Sequence, residues 1–134
     1  MIELEKNICT LVKNSLFNKQ FVDSIFFPLP SRAIQEISKI LYRSKLKEYQ
    51  CEINSHDIRH SYKGHKDDID YVCKIPEIIE TFTKIAKSVT QHPKTKKTIV
   101  SIEFYKKYDN QEVKLVKMDL IKDKRLRLKT IFIT

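Results

Sequence analysis

Glycine, tryptophan and paired cysteine are what this sequence has least of. It has one glycine, no tryptophan, and three cysteines that form no CxxC pair. Without tryptophan, and with its tyrosines and phenylalanines irregularly spaced, the chain has no regular aromatic platform on which bases could stack. Base-specific recognition is therefore not expected. Cys9, Cys51 and Cys73 are odd in number and far apart. They read as three reduced, structural thiols of a cytosolic protein. No long apolar run occurs. The most apolar stretch, around Ile25 to Leu29, is far too short to span a bilayer. Met1 to Phe17 is broken by Glu3, Glu5, Lys6 and Lys13, so it lacks the uncharged block of a signal peptide. The expected setting is cytoplasmic, with no membrane partner. No repeat, low-complexity tract or linker divides the chain, so residues 1–134 are expected to form one domain.

What is present favours a packed core. Hydrophobic residues make up 41% of the 134 positions, with seven Phe and six Tyr, which argues against disorder. A chain of this size buries roughly two-thirds of its unfolded surface. Charge is one-sided. Residues 1–83 hold 12 basic and 12 acidic residues, whereas residues 84–134 hold 14 basic and 5 acidic ones, the whole net charge of +9. A field confined to one half concentrates a polyanion and speeds its capture. RNA is the expected partner.

Apolar spacing predicts a helix over 2–16, with Glu3 and Glu5 at the end where the helix dipole favours them. FFPLP at 26–30 is not helical throughout, because two prolines interrupt it. Ser31 reads as the N-cap of a second helix reaching about Ser44. Residues 48–53 form a short strand or an extended link. In NSHDIRHSYKGH (54–65), Ser55 reads as an N-cap and Gly64 as a C′ residue. Short helices follow over 67–73 and 76–82. Beyond Thr83 the pattern becomes alternating, with strands near 84–91, 98–108, 113–121 and 125–133. The expected class is α+β, N-terminal helices followed by a four-stranded antiparallel meander.

His56, His60 and His65 fall within ten residues. His56 and His60 are four apart, on one helix face. The cluster admits three readings. It is an ordinary set of exposed histidines; or it is a metal site completed by Cys51, His65, Asp67 or Cys73, although no familiar ligand spacing results; or it serves acid–base chemistry on phosphate, to which imidazole is suited. RNA cleavage without a metal needs a base for the 2′-hydroxyl proton and an acid for the leaving 5′-oxygen. It also needs cations for the developing phosphorane charge.

The order HDIRHSYKGH, DDID, KIPEIIE, IVSIEFYKKY, VKLVKMDL and LRLKTIFIT resembles the phage-associated branch of the Barnase–EndoU–Colicin–RelE fold, the PBECR domains. The resemblance covers about residues 50–134 and leaves 1–49 as a helical extension. It implies a barnase-like antiparallel sheet with helices on one face. The implied activity is that of a metal-independent endoribonuclease of phage or toxin type, with no cofactor. Carried over by position, it implies His60 and His65 as base and acid, Lys106 as a phosphate-stabilising cation and Thr130 as a hydrogen-bond donor to phosphate. Lys63, Arg127 and Lys129 are phosphate-positioning candidates from charge alone. An acidic inhibitor protein is a further expected partner. The alternative function is a non-catalytic RNA-, DNA- or inhibitor-binding domain using the basic sheet. Alternation in the last strand leaves the face of Thr130 open: Leu126, Leu128, Thr130 and Phe132 form one set, and Ile131 and Ile133 suggest the other.

Overall fold

A stripe of Ile8, Leu11 and Val12 turns α1 (Ile2–Phe17) into an amphipathic helix whose inner face is fully buried. The computed structural model describes residues 2–42 and 45–133. After α1 comes a strand absent from the sequence expectation, β1 (Ser24–Pro28), formed by the segment whose prolines exclude a helix. It lies at a sheet edge, where a proline removes no needed ladder bond. Next comes α2 (Ser31–Ile40), with Pro30 rather than Ser31 in the N-cap position and an end at Leu41. Arg43 and Ser44, the expected end of that helix, lie outside the described residues. A short 3₁₀ turn (Leu46–Glu48) leads into β2 (Gln50–Asn54) and α3 (Ser55–Gly64). The 3₁₀ segment Lys66–Lys74 and α4 (Ile75–Thr81) complete the helical half.

The four expected strands are present as β3 (Lys84–Gln91), β4 (Thr98–Lys107), β5 (Val113–Ile121) and β6 (Arg125–Ile133). They form an antiparallel meander, but the sheet does not stop there. β6 pairs in parallel with β2, and β2 pairs antiparallel with β1. The result is a six-stranded mixed sheet in the order β1-β2-β6-β5-β4-β3, which corrects the expectation of four antiparallel strands. One face carries Cys51, Ile53, Ile102, Phe104, Val116, Met118, Leu126, Leu128 and Ile131, which share a hydrophobic cluster with buried residues of all four helices. The opposite face mixes charged side chains such as Lys117 and Asp119 with apolar ones, of which Leu115 is buried.

Gly64 does not play the role its solitude suggests. It is the last residue of α3 with no positive φ, and His65 is the C-cap. The left-handed positions fall instead to Lys45, Lys96, Gln111, Asp123 and Lys124, all but Lys45 in the hairpin turns. A Cβ on Gly64 would meet nothing within 4 Å. Gly64→Ala is accordingly expected to raise stability by about 0.5–1 kcal/mol, read from urea unfolding, because it removes unfolded-state freedom without strain.

The thiols also depart from expectation. Packing of α1 against the 3₁₀ segment brings Cys9 and Cys73 to a Cα separation of 5.1 Å, and they form a disulfide across 64 residues. Only Cys51 is free. It is fully buried, and burial pushes its thiol up to about 12. Among the described residues, no helix is long and apolar enough to cross a membrane.

Candidate functional site

The histidine segment becomes a helix because Asn54 caps it. The Asn54 side-chain oxygen accepts from the Asp57 amide at 2.9 Å, and Asp57 occupies the first turn, where the dipole favours a carboxylate. Ile58 anchors the helix in the core with no exposed surface. That orientation leaves His56 and His60 exposed on the outer side.

Facing them is the C-terminal end of α1. Arg59 locks the two helices together. Its Nη1 donates to the Ser15 carbonyl at 2.8 Å and to Asn18 at 3.4 Å, and its Nη2 donates to Phe21 at 2.9 Å. The Ser15 carbonyl is one of those in the last turn of α1 that a helix C-terminus leaves without a backbone partner, and Asn18 and Phe21 lie in the turn that follows; the guanidinium also sits at the negative end of the α1 dipole. Beneath, Ser15 Oγ donates to Ser55 Oγ at 2.9 Å, where both residues are fully buried. Between the helices opens a cleft of about 570 Å³ lined by Ser15, Leu16, Lys19, His56, Arg59, His60, Tyr62 and Lys63. Two imidazoles one helical turn apart and the ammonium groups of Lys19 and Lys63 thus share one concavity. Side chains four apart on a helix have Cβ atoms roughly 5–6 Å from each other. That separation suits two groups acting on opposite sides of one phosphodiester.

The predicted site residues fall in this cleft, at the end of α3 and on the sheet. His60 and Lys63 line the cleft. His65 terminates α3: its amide donates to the Ser61 carbonyl at 2.7 Å, and its carbonyl accepts from Asp68 at 3.0 Å. It is not among the lining residues, and the second imidazole in the cleft is that of His56. Lys106 lies on the helix-facing side of β4, where its Nζ donates to the Thr81 carbonyl at the end of α4 (3.2 Å). Thr130 lies on the opposite side. The β5–β6 register shifts between Lys117 and Met118, which pair with Thr130 and Leu128. Lys129 is therefore the extra residue of a bulge. Leu126, Leu128 and Ile131 can then all face the core while Thr130 turns to the opposite face beside Lys117. Lys106 and Thr130 thus flank the sheet from two sides and do not converge. Lys129 is exposed at the bulge.

Arg127 connects the sheet to α3. Its Nε donates to Asp57 Oδ2 at 2.6 Å. Asp119 and Glu52 flank it in the cross-strand row, where Ser101 Oγ donates to Asp119 at 2.5 Å and Arg125 pairs with Glu52 at 3.5 Å. Burial pushes the Asp57 carboxyl up, Arg127 and His56 pull it down, and burial prevails. The same hydrogen bond raises the Arg127 guanidinium. Asp57 therefore holds its proton more tightly folded than unfolded, so it subtracts stability as the pH climbs from about 4 through its folded value. Asp57→Asn is expected to change stability by about 1 kcal/mol or less at neutral pH, since an amide oxygen still accepts from Arg127. Arg127→Ala strands a buried carboxylate and is expected to cost about 1–3 kcal/mol. The figure is below that for a fully buried pair because the Arg127 side chain is 36% exposed. Urea unfolding at pH 4 and pH 7.5 should show the larger Arg127→Ala deficit at pH 7.5.

Four of the fourteen basic residues of 84–134 come together at one groove, with two acidic residues, Asp119 and Asp123, among them. Lys97, Lys122, Arg125 and Arg127 line a groove of about 650 Å³ with Tyr49 and Asp119. Among the described residues, no three His, Cys, Asp or Glu side chains are grouped to hold a metal, so His56 and His60 have no third protein ligand there. The His56–His60 spacing was visible in the sequence, but neither Lys19 as the opposite wall nor Arg59 as the clamp carried any local signal. No family model, curated protein or solved structure matches the chain.

Proposed function

We propose that this protein is a metal-independent endoribonuclease of the PBECR type, with its active site in the cleft between α1 and α3. The observation that carries the reading is the presence of His56, His60, Lys19 and Lys63 in one cleft. In this mechanism one neutral imidazole removes the 2′-hydroxyl proton. The 2′-oxygen attacks the adjacent phosphorus, and the bond to the 5′-oxygen breaks as the other, protonated imidazole donates to it. Lys19 and Lys63 balance the charge gathered on the phosphorane. The products are a 2′,3′-cyclic phosphate and a free 5′-hydroxyl. The groove at Lys97, Lys122 and Arg125 holds the flanking backbone, and the same positive surface suits an acidic inhibitor protein.

The test is cleavage of total RNA in excess EDTA, with end-group analysis and a pH profile. Cyclic phosphate termini and a bell-shaped profile are expected. Intact RNA, bound with an affinity that falls steeply with salt, would replace this reading with that of a non-catalytic RNA-binding domain.

A further inference from the structure

The Cys9–Cys73 disulfide is not sealed in the core. It forms part of a surface depression of about 500 Å³ that also includes three lysines, Lys6, Lys13 and Lys74, against one carboxylate, Glu5. Cys9 is half-buried, whereas Cys73 is only 8% exposed, so Cys9 is the more accessible residue of the pair. Lys74 is held by Glu5 at 3.1 Å, and Lys6 and Lys13 are exposed on α1 two turns apart, on either side of Cys9 in sequence. A thiolate is the attacking species in disulfide exchange and another thiolate is the leaving group, so neighbouring ammonium groups favour both. Cys73 is carried by a 3₁₀ segment, whose hydrogen bonds are poorer than those of an α-helix and yield more readily. Ile8, Leu11, Val12, Ile69 and Val72 remain buried between and beneath the two elements, which gives them contacts independent of the bond.

We propose that Cys9–Cys73 is a thiol-exchange site for an anionic low-molecular-weight monothiol, with Cys9 as the modified residue. The thiolate attacks Cys9 Sγ, a new sulfur–sulfur bond forms there, and the Cys9–Cys73 bond breaks with its electron pair leaving on Cys73 Sγ. A second thiolate then displaces Cys9. The protein is reduced by two electrons, and two monothiols are oxidised to their symmetrical disulfide. Cys51 takes no part, since it is buried and its thiol is held protonated.

The experiment is exposure of the native chain to glutathione (net anionic) or cysteamine (cationic) at low ionic strength, with acid quench and peptide mass spectrometry. Glutathione is expected to give a mixed disulfide on Cys9. Its rate, corrected for thiolate fraction, should exceed that of cysteamine by about fivefold, an advantage that high salt removes. Lys6→Glu/Lys13→Glu, two changes at exposed positions, should reverse the order. A bond that resists glutathione but opens with dithiothreitol would overturn the proposal. So would label on Cys73 rather than Cys9, or cysteamine matching glutathione at low salt.

Discussion

His60→Ala is expected to lower the rate of RNA cleavage in EDTA by about 10²–10⁴-fold, the range for loss of a positioned acid or base. The side chain is exposed on α3 and has no part in the core, so the unfolding midpoint should stay within about 0.5 kcal/mol of wild type. His56→Ala is expected to produce a loss of the same order, because the two imidazoles share the cleft. His65→Ala separates the two possible pairings. His65 ends the helix outside the cleft lining, so its replacement should act through stability more than through the chemical step. Single-turnover rates on a short RNA distinguish these cases. Wild-type turnover by His60→Ala would remove that residue from the mechanism. A large loss in His65→Ala with none in His56→Ala would restore the pairing implied by the family resemblance.

Removal of the disulfide is expected to have the largest effect on stability. The bond closes a loop of 64 residues, and chain entropy alone assigns such a closure roughly 4 kcal/mol. Cys9→Ser/Cys73→Ser should therefore lower the melting temperature by roughly 10–20 °C. Buried Ile8, Leu11 and Val12 keep α1 on the fold, so the far-ultraviolet spectrum at low temperature should be retained. Wild type treated with dithiothreitol should melt with the double variant. A difference below about 1 kcal/mol between oxidised wild type and the variant would show that the bond does not constrain the molecule in solution.

The histidine pair and the disulfide differ in how legible they are in the sequence. The His56–His60 spacing is a local property of one helix, and it survived intact into the cleft. The disulfide was missed because Cys9 and Cys73 carry no shared motif. Only the packing of α1 on the 3₁₀ segment places them together. Phe26 to Pro30 failed as a strand signal for a related reason. Two prolines argue against regular structure, and β1 exists because β2 offers it an edge. The face of Thr130 was undecidable by alternation, since a bulge at Lys129 breaks the two-residue period that such an argument assumes.

By itself the sequence determined the α+β class, the extents of β3 to β6, the helical histidine face and the confinement of net charge to the C-terminal half. These follow from short-range periodicity, from turn chemistry and from composition, all of which act within a few residues. Tertiary structure alone decided the parallel β2–β6 pairing, the Arg59 clamp, the Arg127–Asp57 link, the Cys9–Cys73 bond and the opposite wall of the cleft. Each of those joins groups more than 35 residues apart, and their energies depend on burial and geometry that exist only once the chain has packed.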